Sequence, residues 1–445
     1  MNVGGKKVLV VGLGVSGYAS GRLLARRGAK VKITEEVDSD SVQENVKKLL
    51  QYPAEFEIGR HTRDFCDNVD LVVTSPGVDS QALPLLLARE KQIPVIGELE
   101  LGFRFCEAPI IAITGTNGKS TTVELIGNIL ALSGKHTVIC GNIGNPLAGE
   151  VEKLTPGSVA VVEVSSFQLE TVKEFRPHAA ILLNVSEDHY DRHGDHGTYK
   201  REKFRVFENQ SSGDWAVLHS DLCGDSLTAD IKSRVVFFGG ENTGSSGSIS
   251  VNMNGGPEHI IKRSEVPLKG EHNMDNVSCA ALVGRIMGVS DRVICDGIRS
   301  FKPLAHRFEK VADYMGVEFI DDSKATNIDA TRRALRSMEK KVVLIAGGRD
   351  KGGDYTSMLP LMKERVKALV LIGEARDKMK NVFSSEVSVF EAKDMAEAVR
   401  RGADIASRGE AVMLSPMCSS FDMYLSYKER GDVFQSEVKK ILEEN

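Results

Sequence analysis

The chain lacks an apolar run near the ~18–20 residues needed to span a bilayer. The N-terminal segment MNVGGKKVLVVGLG places two lysines before a short apolar run that leads into glycines, so it reads as a first strand and not as a signal peptide. No CxxC pair occurs. The seven cysteines, Cys66, Cys106, Cys140, Cys223, Cys279, Cys295 and Cys418, are scattered and odd in number, which points to reduced thiols rather than a disulfide framework. No basic block stands out either. With 57 basic and 62 acidic residues the formal net charge is −5, which argues against nucleic acid as the main partner. There is no internal repeat and no low-complexity tail. These absences leave a soluble, cytoplasmic protein, expected as a monomer, with no membrane and no nucleic acid among its partners.

What is present is enough for ordinary globular cores: 41% hydrophobic and 27% charged residues in 445. At about 100–200 residues per domain, that length suggests two to four domains. Residues 8–11, 31–34 and 71–74 read as strands and 18–27 as helix, an alternation that implies a parallel sheet. A second unit opens near Ala108 with a strand at 110–113, a glycine turn and a helix from Ser120 to about Leu132, followed by strands at 159–164 and 179–184. Residues 240–256 are rich in Gly, Ser and Asn and read as turns in a β-rich excursion or as a loose loop. A third unit starts near His306, with strands at 317–320, 342–346, 368–372 and 411–415. The expectation is three α/β domains: a Rossmann-like one over 1–107, a P-loop ATPase-type one over 108–304 and a second Rossmann-like one over 305–445. Ligands in such sheets bind outside the carboxyl ends of the strands.

The strongest chemical signal is Thr114-Gly115-Thr116-Asn117-Gly118-Lys119-Ser120-Thr121, between a strand and a helix. Glycines let backbone N–H groups approach phosphate oxygens. Lys119 would neutralise the terminal phosphates, and a hydroxyl of Ser120 or Thr121 would hold Mg²⁺. Glu163, at the end of the strand 159–164, supplies a carboxylate suited to the same ion. A denser cluster, NVSEDHYDRHG at 184–194, sets acids and histidines after a buried strand. His189 and His193 have zinc-like spacing but no HExxH; a solvated loop and an association with the phosphate loop are the other readings, the last favoured.

Gly12-Leu13-Gly14-Val15-Ser16-Gly17 follows the first strand, and Glu35-Glu36 end the second. By spacing this is a dinucleotide fingerprint, and a dehydrogenase is the alternative from another class. A dehydrogenase has no need of the ATP-type loop that follows. A nucleotide-binding regulator without catalysis would leave the charged clusters unused.

Taken together, the GxGxxG unit, ITGTNGKST, EVSSFQLE (163–170), NVSEDHYDRHG (184–194), GEHNMDN (270–276), HRFE (306–309), DDSKATN (321–327) and LSPMCSSFDMYLSYKERG (414–431) resemble the Mur ligase family over essentially the whole chain. EVSSFQLE, the SPG at 75–77 and the last segment look like the branch that adds D-glutamate, and the Asp-Asn-Pro-Arg run of the diaminopimelate-adding branch is absent. The resemblance implies an ATP-dependent ligase that forms an acyl phosphate on UDP-N-acetylmuramoyl-L-alanine and then joins D-glutamate to it. It implies Gly115, Thr116, Asn117, Gly118, Lys119, Ser120, Thr121, Asn276, Arg307 and Asp322 for ATP. It also implies two Mg²⁺ sites drawn from Ser120, Thr121, Glu163, His189 and a carbamylated Lys203, which lies four residues after Tyr199; Lys200 is the lysine most easily mistaken for it. Ser16, Ser75, Asn142 and Lys324 would face the UDP-linked substrate, and Thr326, Lys351, Ser420 and Tyr427 the incoming amino acid. Lys119, His189, Lys203 and Arg307 are the implied catalytic set. Glu35-Glu36 depart from relatives that carry a basic residue there.

Overall fold

A computed structural model of the chain describes residues 1–186, 188, 193, 195–240, 247–253, 256 and 258–443. Three sheets with flanking helices form its framework. The first contains β1 (Lys7–Val11), β2 (Lys30–Glu35), β3 (Ala54–Ile58), β4 (Leu71–Thr74) and β5 (Val95–Gly97) in the order β3-β2-β1-β4-β5, all parallel. β1 and β4 lie at the centre and are apolar and buried almost throughout, as strands covered on both faces must be.

The second sheet holds β6 (Ile110–Thr114), β7 (Thr137–Gly141), β8 (Val159–Glu163), β9 (Ala179–Leu182), β10 (Trp215–His219) and β11 (Arg234–Phe238), in the parallel order β11-β10-β9-β6-β8-β7. A two-stranded sheet, β12 (Ser248–Val251) and β13 (Glu258–Lys262), fits the β-rich alternative of the two readings of this stretch.

The third sheet contains β14 (Glu309–Tyr314), β15 (Val317–Asp321), β16 (Val342–Gly347), β17 (Val366–Ile372), β18 (Ser388–Glu391) and β19 (Ala411–Leu414), in the order β14-β15-β19-β16-β17-β18. The three α/β domains expected from the sequence are present, and this third sheet carries one antiparallel edge. β14 and β15 form an antiparallel hairpin around Met315 and Gly316, both at positive φ, so the sheet is mixed. The tight turn leaves no room for the crossover that a parallel pair requires.

Contacts divide the chain into two compact units. One takes in Met1–Asn184, Lys200–Ile261 and Asn276–Arg299; the other Val185–Tyr199, Lys262–Asp275 and Ser300–Asn445. Within the first unit, two buried glutamates on the helix Glu98–Phe105 fasten the first sheet to the second. Glu98 accepts from the Ala148 N–H at 2.7 Å. Glu100 accepts from the N–H groups of Lys173, Glu174 and Phe175 at 2.9–3.2 Å and pairs with Arg104 at 2.6 Å. Arg22 adds a bond to the Gly149 carbonyl at 2.7 Å. A carboxylate serving three loop N–H groups supplies partners that buried backbone must otherwise find in water.

Candidate functional site

The phosphate loop forms where expected. β6 ends in buried Thr114 and the helix Lys119–Leu132 follows, its N-cap Gly118 at φ +86°. A Cβ on Gly118 would sit 2.6 Å from Oδ1 of Asn276, so only glycine fits between the loop and that side chain. Such a helix start presents backbone N–H groups and the positive end of its dipole to an anion. Asn184 holds the loop. Its carbonyl accepts from Thr116 N–H at 3.0 Å, its Oδ1 from Asn117 N–H at 2.9 Å, and its Nδ2 donates to the Asn117 carbonyl at 3.0 Å. Asn184 opens the motif NVSEDHYDRHG, where an asparagine closing a strand beside a glycine loop is the only sequence signal of this role.

Lys119 folds back over the loop, donating to the carbonyls of Gly115 at 2.8 Å and Thr116 at 2.9 Å. Lys203 reaches the same Gly115 carbonyl at 2.9 Å, although its side chain is 1% exposed. Lys200 instead pairs with Asp225, so the two lysines are told apart by their surroundings. Ser120, Thr121 and Glu163 are buried close to the helix start and the end of β8. Glu163 accepts from Asn142 Nδ2 at 2.8 Å, which ties a residue expected at the sugar substrate to one expected at the metal. Burial, and then the charge of Glu163, raise the pKa of Glu124 on the loop's helix. Hydroxyl and carboxylate oxygens are the donors a hard divalent cation takes, and two acids in mutual repulsion favour one there. The residues fit Mg²⁺ and a nucleotide phosphate. His189 lies outside the described residues.

At the first sheet, the Gly12 turn is built as the fingerprint requires. A Cβ on Gly17 would strike the Gly12 carbonyl oxygen at 1.8 Å, so helix and turn touch backbone to backbone. The Ser75 hydroxyl donates to the Gly12 carbonyl at 3.4 Å, and half-buried Ser16 stands in the first turn of the helix Val15–Arg26. Glu35 is engaged locally. Its Oε2 accepts from Leu13 N–H at 2.7 Å and its Oε1 from Val37 N–H at 3.1 Å. A nicotinamide dinucleotide would need that carboxylate for its ribose. The acid instead bonds to the turn, which weighs against the dehydrogenase alternative.

In the second unit, Ser186, Asp188 and His193 of the acidic cluster group with the C-terminal segment, while Asn184 stays with the phosphate loop; the cluster therefore divides. A cavity of about 480 Å³ lies beyond the carboxyl edge of the third sheet, lined among others by Asp188, Asn327, Asp329, Arg332, Lys351 and Tyr355. Asn327 donates to Asp188 at 3.0 Å and Lys351 stands 3.5 Å from the same carboxylate. Burial pushes the Asp329 pKa up, but Arg333, Ser186 and Arg332 outweigh it and hold the acid ionised. The cavity thus alternates anions and cations, the pattern a free amino acid presents in reverse.

Thr326, Ser420 and Tyr427 do not line this cavity with Lys351. The Thr326 N–H donates to the Lys324 carbonyl at 2.8 Å, Ser420 is buried, and Tyr427 carries the Lys324 ammonium 3.9 Å over its ring. Asp322, behind Lys324, accepts from Ser415 Oγ at 2.9 Å and Phe308 N–H at 3.2 Å; burial pushes its pKa up to about 7.

Arg307 sits between two left-handed residues, His306 at φ +60° and Phe308 at φ +50°. Each such residue costs of order 1 kcal/mol, and strain of this kind gathers at functional loops. His306 Nδ1 lies 2.7 Å from Asp321, and its N–H donates to Glu309 at 2.8 Å. Gln435 donates to both of these acids, at 2.9 and 3.1 Å, so the His306–Glu309–Asp321 trio closes on itself as a hydrogen-bond network.

A phosphate loop on one parallel sheet and an ionic cavity on another α/β layer define a nucleotide-phosphate-binding class of protein. Family models narrow it: the Mur ligase MurD-like N-terminal domain matches residues 6–97, the Mur ligase middle domain 113–284 and the Mur ligase glutamate ligase domain 306–418. The chain belongs to the Mur ligase family. Curated relatives named UDP-N-acetylmuramoylalanine–D-glutamate ligase include those of Desulfosudis oleivorans, 43% identical over 98% of this chain and 97% of the relative, and Pelotomaculum thermopropionicum, 42% identical over 97% and 96%. Among solved structures, a pseudomurein peptide ligase type C from Methanothermus fervidus covers 98% of this chain and 100% of its own at 18% identity and TM-score 0.63. The UDP-N-acetylmuramate-alanine ligase of Thermotoga maritima covers 98% and 99% at 17% identity and TM-score 0.62. These two establish the fold alone. Among the described residues no helix is long and apolar enough to cross a membrane.

Proposed function

We propose that this protein is an ATP-dependent acid–D-amino-acid ligase that joins D-glutamate to UDP-N-acetylmuramoyl-L-alanine through an acyl phosphate, in the cytoplasmic synthesis of peptidoglycan precursors. It acts as a monomer, without a nucleic-acid or membrane partner. The observation that carries the reading is the full-length similarity to ligases of that name, on a chain whose glycine loop is built for nucleotide phosphates.

The physical obstacle is the approach of an anionic carboxylate to an anionic γ-phosphate. The carboxylate oxygen bonds to phosphorus as ADP leaves; the neutral amine of the amino acid then bonds to the acyl carbon, and inorganic phosphate leaves while the nitrogen gives up one proton to the departing phosphate or to water. Mg²⁺, when bound at two sites, screens the converging negative charge. Ser120, Thr121 and Glu163 would hold one ion; His189 and a carbamylated Lys203 would hold the other. The backbone of residues 115–118 cradles the phosphates, and Lys119 and Arg307 neutralise the terminal one. Asn276 and Asp322 take the adenosine. Ser16, Ser75, Asn142 and Lys324 position the UDP-linked substrate. Lys351 pairs with one carboxylate of glutamate and Thr326, Ser420 and Tyr427 with the remainder. Three domains, 1–107, 108–304 and 305–445, divide these tasks.

The test is phosphate release from ATP with UDP-N-acetylmuramoyl-L-alanine and one amino acid at a time: D-glutamate, L-glutamate, L-alanine and meso-diaminopimelate. D-glutamate alone should saturate the enzyme. Preference for another amino acid removes the substrate assignment but not the ligase class.

A further inference from the structure

One buried cation has no part in the chemistry above. Arg430, on the helix Tyr427–Glu443, is 1% exposed and heads the largest fully buried side chains among the described residues. Its Nε donates to Ser323 Oγ at 3.0 Å and its Nη2 to the Ser323 carbonyl at 2.8 Å. Nη1 donates to the carbonyls of Cys418 and Ser419, both at 3.2 Å, and Nη2 also reaches Cys418 at 3.2 Å. Every acceptor is neutral; among the described residues no hydrogen bond joins this guanidinium to a carboxylate. Burial lowers its pKa to about 10, so it stays charged at neutral pH.

Removing the group would strip these bonds from the carbonyls of Ser323, Cys418 and Ser419, so its packing role and its charge are separable only by substitution. The acceptors show what the charge attends. Ser323 precedes Lys324, and its hydroxyl donates onward to the Tyr427 carbonyl at 2.8 Å. Ser419 precedes Ser420 and exchanges backbone bonds with Arg349 at 3.0 and 3.1 Å, two residues before Lys351. Gly348 lies against the same group: a Cβ there would come within 3.2 Å of Arg430 Nη1.

We propose that Arg430 is a positioning residue: its planar fork fixes the segments bearing Tyr427, Lys351 and Ser420 as one surface, and its charge, hydrogen-bonded only to neutral acceptors among the described residues, biases that surface toward a dicarboxylate amino acid. The proposal rests on the reading of this unit as the amino-acid site. Lysine keeps the charge but not the five-donor fork, so the two substitutions Arg430→Lys and Arg430→Met separate geometry from charge.

In the full-length enzyme each substrate is varied in turn. Arg430→Lys should raise the KM for D-glutamate at least ~tenfold and Arg430→Met further, while the KM for ATP and for the UDP-linked substrate stays within ~twofold and kcat within ~threefold. A D-glutamate KM within ~twofold of the parent in a cooperatively melting Arg430→Lys variant overturns the proposal. So does a common rise in all three KM values, or the failure of both variants to melt cooperatively, since each marks a structural post only. If Arg430→Met alone does not fold, Arg430→Lys decides. Should the parent enzyme prefer another amino acid, the substrate reading falls, and Arg430 is judged on the KM for that amino acid instead.

Discussion

Lys119 and Lys203 direct their ammonium groups to one oxygen, the Gly115 carbonyl, at 2.8 and 2.9 Å. Two cations on one acceptor repel each other, and the burial of Lys203 weakens solvent screening of that repulsion. Conversion of one to a carbamate removes the repulsion and yields an oxygen ligand of the kind Mg²⁺ takes. Lys203, the more deeply buried, is the candidate. Enzyme equilibrated with ¹³C-bicarbonate should show a carbamate carbon signal that Lys203→Arg lacks, and Lys203→Ala should lose at least ~100-fold in kcat, about 2.7 kcal/mol. A parent enzyme without that signal refutes the modification.

Lys119→Ala should abolish ligation by removing a phosphate-binding cation, at a cost of several kcal/mol or at least ~1000-fold in rate, with the melting curve retained. Near-normal turnover in a folded variant would remove the ATP assignment from this loop.

Gly118→Ala tests the loop by shape instead of charge. The new methyl meets Asn276 Oδ1 at 2.6 Å at a backbone φ of +86°. A loss of ~1–3 kcal/mol in stability and weaker nucleotide binding by calorimetry are expected together.

Lys351→Ala leaves Asp188 with Asn327 as its described partner in the cavity. The KM for D-glutamate should rise at least ~tenfold while that for ATP holds. Equal rises in both would show that the lysine serves the nucleotide as much as the amino acid.

Glu98 gives a pH signature. Burial raises its pKa from 4.5 to about 7, against the opposing bonds from Ala148 and Gln168. The folded protein keeps this proton up to about pH 7, whereas the unfolded chain releases it near 4.5. The stabilising contribution is therefore present at acid pH and is lost as pH rises through 7, by up to about 3 kcal/mol. Glu98→Gln, which cannot ionise, should lose less melting temperature than the parent between pH 5.5 and 8. Parallel melting curves across that range would refute it.

The sequence showed its sheets from the inside outward. The ten strands legible as apolar runs, among them β1, β6, β16 and β19, are all interior to their sheets. The edge strands β3, β5, β7, β11, β14 and β18 were not legible. Edges have one strand neighbour and partial burial, so AEFEI and EKVADY carry charges where an interior strand carries Val or Ile. Interior β10, WAVLH, is the exception, its buried run only three residues long. At the site, loop motifs located Lys119, Glu163 and Lys351, because glycine turns and strand ends leave a pattern in one segment. Asn327 and Arg430 lie inside quoted motifs, but their roles were not legible there: the first acts as a helix cap that also holds Asp188, and the second is one charge in YKERG whose burial depends in part on a loop a hundred residues away.

The bolts between the first two sheets set a distance. Because Glu100, Glu98 and Arg22 tie the helices of one sheet to the loops of the next, the turn at Gly12 and the loop at Gly118 are held at a constant span. On the proposed function, the uridine end would sit at one landmark and the reactive carboxylate would have to reach the other. The protein then works as a gauge. A precursor already one residue longer would carry its carboxylate past the phosphate, and would be refused for its length before any side chain was read.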